Sequence, residues 1–290
     1  MKPILHQLRV KHYIKNILVF LPLVFSLNLL DFASFLQTFL VFLAFCAASS
    51  AVYIVNDIAD APRDRLHPRK KNRPIASGKI SVGMGAVMAF LCLSCAVVLS
   101  IFTKSLTSGI LLLVYLSLNT LYSFVLKKFA LVDVFCLMVG FLLRVAAGAA
   151  VIGVPVSGWL MLTIMSLSLF MGFGKRRGEI RLTDGTTSIT RKVLSSYSAA
   201  FLDRAMYSMM TLSAAFYALW AIDGDTTAYL GTNRLIWTTP LVIAGLLRYA
   251  LLLENNVSDG DPTNVLFTDF PLMCLVPVYG LTVIAMIYFH

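Results

Sequence analysis

Three aspartates are spaced so that they could bind a metal ion together. Asp57, Asp60 and Asp64 stand at positions i, i+3 and i+7, and a helix places such positions on one face. Clustered carboxylates repel one another unless a cation neutralises them, and their hard oxygen atoms suit Mg2+, which binds through carboxylates and a substrate phosphate. Four basic residues follow: Arg69, Lys70, Lys71 and Arg73. Acids followed by bases predict a site for a metal diphosphate; the alternative is a solvated acidic turn followed by residues that set membrane topology. Pro62 is expected to end or kink the helix, so that Asp64 diverges from the other two acids.

The composition indicates that these residues belong to an integral membrane protein. Of 290 residues, 59% are hydrophobic and 13% are charged, and the mean hydropathy is +0.83. A soluble domain needs more polar residues to cover its surface, so an ordinary soluble enzyme is excluded. At about 20 apolar residues per span, the apolar runs predict nine transmembrane helices. These runs are residues 16–30, 32–56, 80–103, 105–126, 134–152, 156–174, 205–222, 235–254 and 270–290, of which 134–152 contains Arg144 and 235–254 has Arg248 near its end.

The predicted fold is therefore a single all-α transmembrane domain over residues 1–290. A chain of this length leaves no room for an additional soluble catalytic domain, so any site has to be built from helix ends and loops. The two segments that carry chemistry are the motif loops at residues 56–79 and 174–204.

The basic residues are distributed unevenly between the two sides of the membrane. With nine helices, the N-terminus and the loops after even-numbered helices hold all of the 24 basic residues except Lys104, Arg144 and Arg234. The positive-inside rule makes that side cytoplasmic and places the C-terminus outside. Most acidic residues lie on the same side, which predicts a cytoplasm-facing site in a multi-pass protein of the inner (cytoplasmic) membrane. The net charge of +10 then needs no nucleic acid to explain it.

The first motif resembles that of the UbiA superfamily of intramembrane prenyltransferases. The superfamily signature NDxxDxxxD is matched by Asn56, Asp57, Asp60 and Asp64, and its basic tail by His67, Pro68, Lys70, Arg73, Pro74 and Gly78. The resemblance implies a helical bundle with a cytoplasm-facing polar cavity that opens laterally for a polyprenyl chain. It also implies that the first motif is catalytic, with Mg2+ and the diphosphate leaving group bound by Asn56, Asp57, Asp60 and Asp64.

The second motif loop separates two branches of that superfamily. Aromatic prenyltransferases carry a second acidic motif of the DxxxD type, whereas this chain reads GKRRGEIRLTDG, with Glu179 followed five residues later by Asp184. Together with the segments LRVKHYIKN, LYSFVLKKFALVDVF, FLLRVAAG, SYSAAFL, LRYALL and GDPTNVLFTD, this loop resembles the decaprenyl-phosphate phosphoribosyltransferase branch. That branch transfers 5-phosphoribose from phosphoribosyl pyrophosphate to a polyprenyl phosphate, and its product feeds arabinose-containing cell-wall polymers.

This resemblance implies roles for further side chains. Six basic residues are candidates to hold phosphates: Lys15, Arg73, Lys127, Arg144, Lys175 and Arg176. Tyr122 is a candidate contact to ribose or phosphate, and Glu179 would orient a ribose hydroxyl or an adjacent arginine. By position alone, Lys15 and Lys127 also fit topology anchors, Tyr122 fits an aromatic belt, and Arg144 fits a side chain that snorkels to the interface.

Two alternatives remain at this stage. The first is an aromatic prenyltransferase that uses a polyprenyl diphosphate, with Glu179 and Asp184 replacing the missing motif. The second is a transporter or lipid-phosphate carrier, which the clustering of acids at one membrane face disfavours, because transporter sites lie near the midplane. The acceptor chain length stays open, as does the oligomeric state, for which a homo-oligomer is one option.

Overall fold

The computed structural model describes residues 2–66, 70–181, 192–255 and 261–289. These residues form α-helices and short 3-10 helices, and no strand occurs among them, so the all-helical prediction is confirmed. Four residues discussed above lie outside the described part of the chain: His67, Pro68, Arg69 and Asp184.

Eight helices in the described residues are long and apolar enough to cross a membrane. The α-helices are α1 (Lys2–Leu8), α2 (Leu21–Phe25), α3 (Phe32–Asp64), α4 (Val82–Phe102), α5 (Leu106–Phe124), α6 (Val132–Ile152), α7 (Gly158–Arg181), α8 (Ala199–Ile222), α9 (Gly224–Leu230), α10 (Thr239–Glu254), α11 (Pro262–Thr268) and α12 (Phe270–Tyr288). Of these, α3 to α8, α10 with the preceding 3-10 turn, and α12 are the eight.

The predicted first span, residues 16–30, is not one continuous α-helix. A 3-10 helix covers Val10–Phe20 and is followed directly by α2. Pro22 lies in the first turn of α2, where its missing N–H is tolerated. Within the predicted span, residues 16–20 belong to the 3-10 helix and residues 21–25 to α2. At about 2.0 and 1.5 Å per residue these ten residues rise about 18 Å, less than the hydrocarbon thickness of about 30 Å. The count of nine spans stays a prediction.

The helices expose large apolar side chains in the manner of a protein surrounded by lipid. Phe90 and Ile101 on α4 are 68% and 70% exposed, and Leu281 on α12 is 68% exposed. Such surfaces are unfavourable in water and favourable against lipid chains. The chain is therefore a multi-pass membrane protein.

The chain divides into two compact units, and the prediction of a single domain stays a prediction. The first unit comprises Met1–Leu23, Leu30–Val125 and Leu143–Val154. Within it, α3 packs along α4, α5 and the 3-10 helix. The carbonyl oxygen of Val19 lies so close to α6 that a Cβ atom at Gly148 would be 2.0 Å from it. Only glycine at that position allows the two backbones to meet.

The second unit comprises Val24–Leu29, Leu126–Leu142 and Pro155–His290. Its principal packing is between α7 and α8. The apolar core includes Val134, Phe170, Leu202 and Met206, which are at most 1% exposed. This core surrounds the end of α7, where the second motif begins.

Candidate active site

The first acidic motif lies on the last turns of α3. The helix does not end at Pro62 but continues to Asp64, and Arg65 N–H then bonds to the carbonyl oxygen of Ala61. Proline removes one hydrogen bond from the ladder, and the bonds on either side of that gap keep the helix intact. The expected divergence of Asp64 is therefore wrong, because Asp57 and Asp64 reach the same cation. The first part of the predicted loop 56–79 is helical.

Asp57 is 3% exposed and accepts three hydrogen bonds from side chains. Gln7 Nε2 donates to its Oδ2 at 3.0 Å, while Arg9 Nη2 and Arg73 Nη1 donate to its Oδ1 at 2.6 and 3.0 Å. Arg9 has φ 54°, a left-handed conformation that is unfavourable for a residue with a Cβ. Its guanidinium also lies 4.7 Å from the ring centre of Tyr53. The N-terminal segment is therefore held onto the acidic motif.

Arg73 bridges two acids of the motif. Its Nη1 atom lies 3.0 Å from Asp57 Oδ1 and 2.7 Å from Asp64 Oδ2. Both carboxylates are nearly buried, at 3% and 5% exposure. The two buried acids are therefore paired with two guanidinium groups, Arg73 on both and Arg9 on Asp57, as desolvated negative charges require.

The chemistry of this acid pair fits a hard divalent cation. Among the described residues, no group of three or more acidic, histidine or cysteine side chains is arranged to hold a metal ion. Mg2+ needs only one or two protein carboxylates where a substrate phosphate supplies further oxygens. Asp57 and Asp64 already place two oxygens within 3.0 Å of one positively charged nitrogen. The neighbouring Asn56 and Asp60 are half-buried on the same helix.

Arg144 is buried inside the first unit, with 5% exposure. Its Nε donates to Asn16 Oδ1 at 2.7 Å and its Nη2 to the Tyr115 hydroxyl at 2.9 Å. The guanidinium also lies 4.6 and 5.9 Å from the ring centres of Tyr115 and Phe45. Two neutral acceptors and two aromatic faces therefore contact this cation. The Arg144 side chain is therefore buried in the protein and does not snorkel to the membrane interface.

The basic run at the end of α7 is paired with acids from three other segments. Lys175 Nζ lies 2.9 Å from Asp261, Arg176 Nε lies 2.6 Å from Asp133, and Arg177 Nε lies 2.6 Å from Asp203. Consecutive helical residues point in different directions, so each of the three basic side chains meets a different neighbour. The run fastens α7 to the beginnings of α6, α8 and α11.

The pair of Arg176 and Asp133 is the most buried of these contacts, with side chains 1% and 0% exposed. Tyr197 donates from its hydroxyl to Asp133 Oδ1 at 2.7 Å and accepts from the N–H of Leu131 at 2.6 Å. Burial, followed by the hydrogen bond to Asp133, raises the pKa of Tyr197. On its other side, Arg176 Nη1 donates to Glu179 Oε2 at 2.7 Å. Glu179 is thereby placed next to Arg176, as the sequence predicts.

The remaining predicted residues, Lys15, Tyr122 and Lys127, are half-buried. The roles proposed for them stay predictions. Several residues have contacts with the predicted site residues although no role was predicted for them: Gln7, Arg9, Asn16, Tyr115, Asp133, Tyr197 and Asp261. Most of them lie within the segments that carried the resemblance, so their place in those segments was the available signal.

Comparison with known proteins gives consistent results. The model of the UbiA prenyltransferase family matches residues 18–268. The chain is 33% identical to the decaprenyl-phosphate phosphoribosyltransferase of Mycolicibacterium smegmatis over 97% of this chain and 91% of that protein. It is also 33% identical to the decaprenyl-phosphate phosphoribosyltransferase of Corynebacterium glutamicum over 97% of this chain and 85% of that protein.

The fold is also found among solved structures. The structure of a UbiA homologue from Archaeoglobus fulgidus bound to GPP and Mg2+ superposes with a TM-score of 0.69 at 20% identity, covering 98% of this chain and 99% of that one. At this identity the likeness establishes the fold alone. The family match over residues 18–268 and the 33% identity to these relatives show that the chain belongs to the UbiA prenyltransferase family.

Proposed function

We propose that the protein transfers 5-phosphoribose from phosphoribosyl pyrophosphate to a polyprenyl phosphate and releases pyrophosphate. The observation that carries the proposal is the 33% identity over 97% of the chain to two decaprenyl-phosphate phosphoribosyltransferases. The single glutamate of the second motif also supports it, since the aromatic branch that the chain resembles less carries a second acid pair.

The first motif is proposed to hold the leaving group. Asn56, Asp57, Asp60 and Asp64 would bind Mg2+, which would neutralise the negative charge that develops on the departing pyrophosphate. The burial of Asp57 and Asp64, together with their shared cation, supports this role. Arg73, which is 27% exposed, would contact the pyrophosphate directly.

Other cations are proposed to bind the 5-phosphate of the donor and the phosphate of the lipid acceptor. Lys15, Lys127, Arg144 and Lys175 are the candidates. Asn16 and Tyr115 hold Arg144 in one orientation, so an anion would meet a cation that needs no reorientation. Lys175 has to exchange its carboxylate partner for a phosphate, and at 29% exposure it is accessible for that exchange. Tyr122 is proposed as a contact to ribose or phosphate.

The proposed reaction is a substitution at C1 of the ribose. The bond from C1 to the pyrophosphate oxygen breaks, with its electron pair leaving on the pyrophosphate, and an oxygen of the lipid phosphate forms a new bond to C1. Positive charge develops on the sugar ring as the leaving group departs. The lipid phosphate is ionised at neutral pH, so the reaction needs no general base.

The membrane orientation is also proposed. The excess of lysine and arginine in one set of loops supports a site at the cytoplasmic face of the inner membrane, with the N-terminus on that face and the C-terminus outside. A cysteine-accessibility assay on single-cysteine variants at each end, in intact cells, tests this orientation. Labelling of the N-terminal cysteine from outside would overturn it.

The activity is tested with purified protein in detergent or nanodiscs. The protein is incubated with Mg2+, phosphoribosyl pyrophosphate and decaprenyl phosphate, and the lipids are analysed by mass spectrometry while pyrophosphate is measured by a coupled assay. We expect equal amounts of phosphoribosylated lipid and pyrophosphate. Asp57→Asn should abolish the product, whereas Asp225→Asn, which changes an exposed aspartate of α9, should leave it unchanged.

A parallel reaction distinguishes the aromatic prenyltransferase alternative. The same protein is supplied with decaprenyl diphosphate and an aromatic acid acceptor such as 4-hydroxybenzoate. We expect no prenylated product. Prenylation of the aromatic acceptor together with no use of phosphoribosyl pyrophosphate would overturn the proposed function.

A further inference from the structure

We infer that Asp133 and Tyr197 are positioning residues that hold Glu179, through Arg176, toward the vicinal hydroxyls of the donor ribose. The inference rests on the proposed function and deepens it. According to this inference, the preference for a phosphoribosyl donor depends on buried contacts that lie outside the first acidic motif. The contacts form one chain from Tyr197 to Glu179.

The direction of the hydrogen bonds in this chain is determined at Tyr197. Its oxygen accepts the N–H of Leu131 at 2.6 Å, so its single hydrogen is directed to Asp133 Oδ1 at 2.7 Å. Leu131 adopts φ 66°, which is a costly conformation for a leucine. This strained residue presents its N–H to the tyrosine oxygen and keeps the hydroxyl from rotating away from Asp133.

Asp133 in turn determines the position of Arg176. The two side chains are 0% and 1% exposed and join at 2.6 Å. A buried ion pair adds little net stability, because desolvation offsets the attraction, but it holds its members in one geometry. With Nε bound to Asp133, the planar guanidinium has its Nη1 atom directed at Glu179, where the distance is 2.7 Å.

Of the side chains in this chain of contacts, only the last one, Glu179, is substantially exposed to solvent. Asp133 and Arg176 are fully desolvated, whereas the Glu179 side chain is 23% exposed. Glu179 is therefore the member that can meet a substrate. A carboxylate accepts hydrogen bonds and donates none when ionised, which suits the hydroxyls of ribose. A prenyl diphosphate has no hydroxyl groups on its chain, so it would gain nothing from this carboxylate.

The test compares two donors that differ by one hydroxyl. The kcat/KM values for phosphoribosyl pyrophosphate and for its 2-deoxy analogue are measured with saturating decaprenyl phosphate, and their ratio is the donor preference. Tyr197→Phe, Asp133→Asn and Glu179→Gln should each lower this ratio by about tenfold, the usual effect of weakening a hydrogen bond to a charged group. The KM for decaprenyl phosphate should change by less than about twofold in Tyr197→Phe, because that substitution keeps the buried ring.

Two controls separate positioning from a general structural effect. Tyr217→Phe removes another buried hydroxyl of the same unit, which bonds to Thr238, and should leave the donor preference unchanged. The double variant Tyr197→Phe/Glu179→Gln should show no lower preference than Glu179→Gln, because both substitutions act on the same contact.

The outcomes are distinguishable. Equal losses of rate for both donors in Tyr197→Phe, with an unchanged ratio, would overturn the inference and leave the proposed function intact. So would independent effects of the two substitutions in the double variant. If Asp133→Asn does not fold, Tyr197→Phe and the double variant decide the matter. If the wild-type protein does not use phosphoribosyl pyrophosphate at all, the proposed function fails and this inference fails with it.

Discussion

Replacing Arg73 by glutamine removes the positive charge that Asp57 and Asp64 share. The Nη1 atom of Arg73 lies 3.0 and 2.7 Å from the two carboxylates. Asp57 keeps its hydrogen bonds from Arg9 and Gln7, so the larger loss falls on Asp64, which is 5% exposed. Leaving a buried charge uncompensated costs about 3–5 kcal/mol, and because Arg73 is itself partly in solvent we expect about 2–3 kcal/mol.

That loss corresponds to a lower midpoint of thermal unfolding, by about 5 °C or more for a chain of this size. The midpoint is measured by heating samples in detergent and using size-exclusion chromatography to quantify the protein that stays folded at each temperature. The matched control is Arg65→Gln, because Arg65 is exposed on the same segment and its side-chain Nε donates to the carbonyl oxygen of Ala76 and not to an acid of the motif. We expect this control to melt within about 1 °C of the wild type.

Mg2+ should affect the two proteins differently. In the wild type a divalent cation has to compete with Arg73 for the acid pair, whereas in Arg73→Gln it meets Asp64 without its cation and Asp57 paired with Arg9 alone. A ligand stabilises the folded state more when its affinity is higher. Millimolar MgCl2 should therefore raise the midpoint of Arg73→Gln more than that of the wild type. Equal midpoints for Arg73→Gln and Arg65→Gln, with equal responses to MgCl2, would refute the reasoning.

Two further predictions concern stability. Gly148→Ala should destabilise the protein by about 3 kcal/mol or more, because the new Cβ would lie 2.0 Å from the backbone oxygen of Val19. The control is Gly83→Ala, which has no atom within 4 Å of the added carbon and should melt at or slightly above the wild-type midpoint. Similar losses of stability in both variants would contradict this prediction. Hydrogen bonds from Arg248 hold the pKa of Asp269 below its usual value of 3.8, so this carboxylate contributes stability that is present above pH 3.8 and is lost as the pH falls through the lower, folded-state pKa. The midpoint difference between wild type and Asp269→Asn, measured from pH 7 to pH 3, should stay constant above about pH 5 and shrink below pH 3.8, and a difference that does not depend on pH would exclude this contribution.

The membrane helices could be predicted closely from the sequence. The uncharged runs 80–103 and 105–126 became α4, Val82–Phe102, and α5, Leu106–Phe124, because the width of the hydrocarbon core limits where charges can lie. The run 32–56 marks only the apolar part of α3, which continues to Asp64. Hydropathy shows where a helix leaves the lipid, but it does not show where the helix ends, because its backbone hydrogen bonds can continue into the aqueous region.

The candidate site was predictable only in its local part. The i and i+7 spacing of Asp57 and Asp64 predicts that they share a helix face, and their common contact with Arg73 agrees with that. The contacts from Gln7 and Arg9 were not predictable, because they join residues about 50 positions apart. Contacts between distant segments leave no periodic pattern in a sequence.

The second motif shows a different limit. Within the run GKRRGE, Lys175 and Arg176 are predicted to hold phosphates. The structure places Arg176 at 1% exposure against Asp133, a contact that depends on how α6 and α7 pack. Charge in a loop sequence therefore indicates a binding role only when the acids that pair with it are known, and here those acids belong to three other segments.

During synthesis at the ribosome, the partners of Asp57 and Asp64 are made at different times. Gln7 and Arg9 have already been made when the end of α3 emerges, so Asp57 finds two of its donors at once. Asp64 has to wait for the residue nine positions later, Arg73. At a usual elongation rate of about 5–20 residues per second, that interval lasts about a second. The nascent chain therefore passes through a short stage in which the end of α3 carries an acid without Arg73, which favours keeping that end at the aqueous surface until Arg73 has been made.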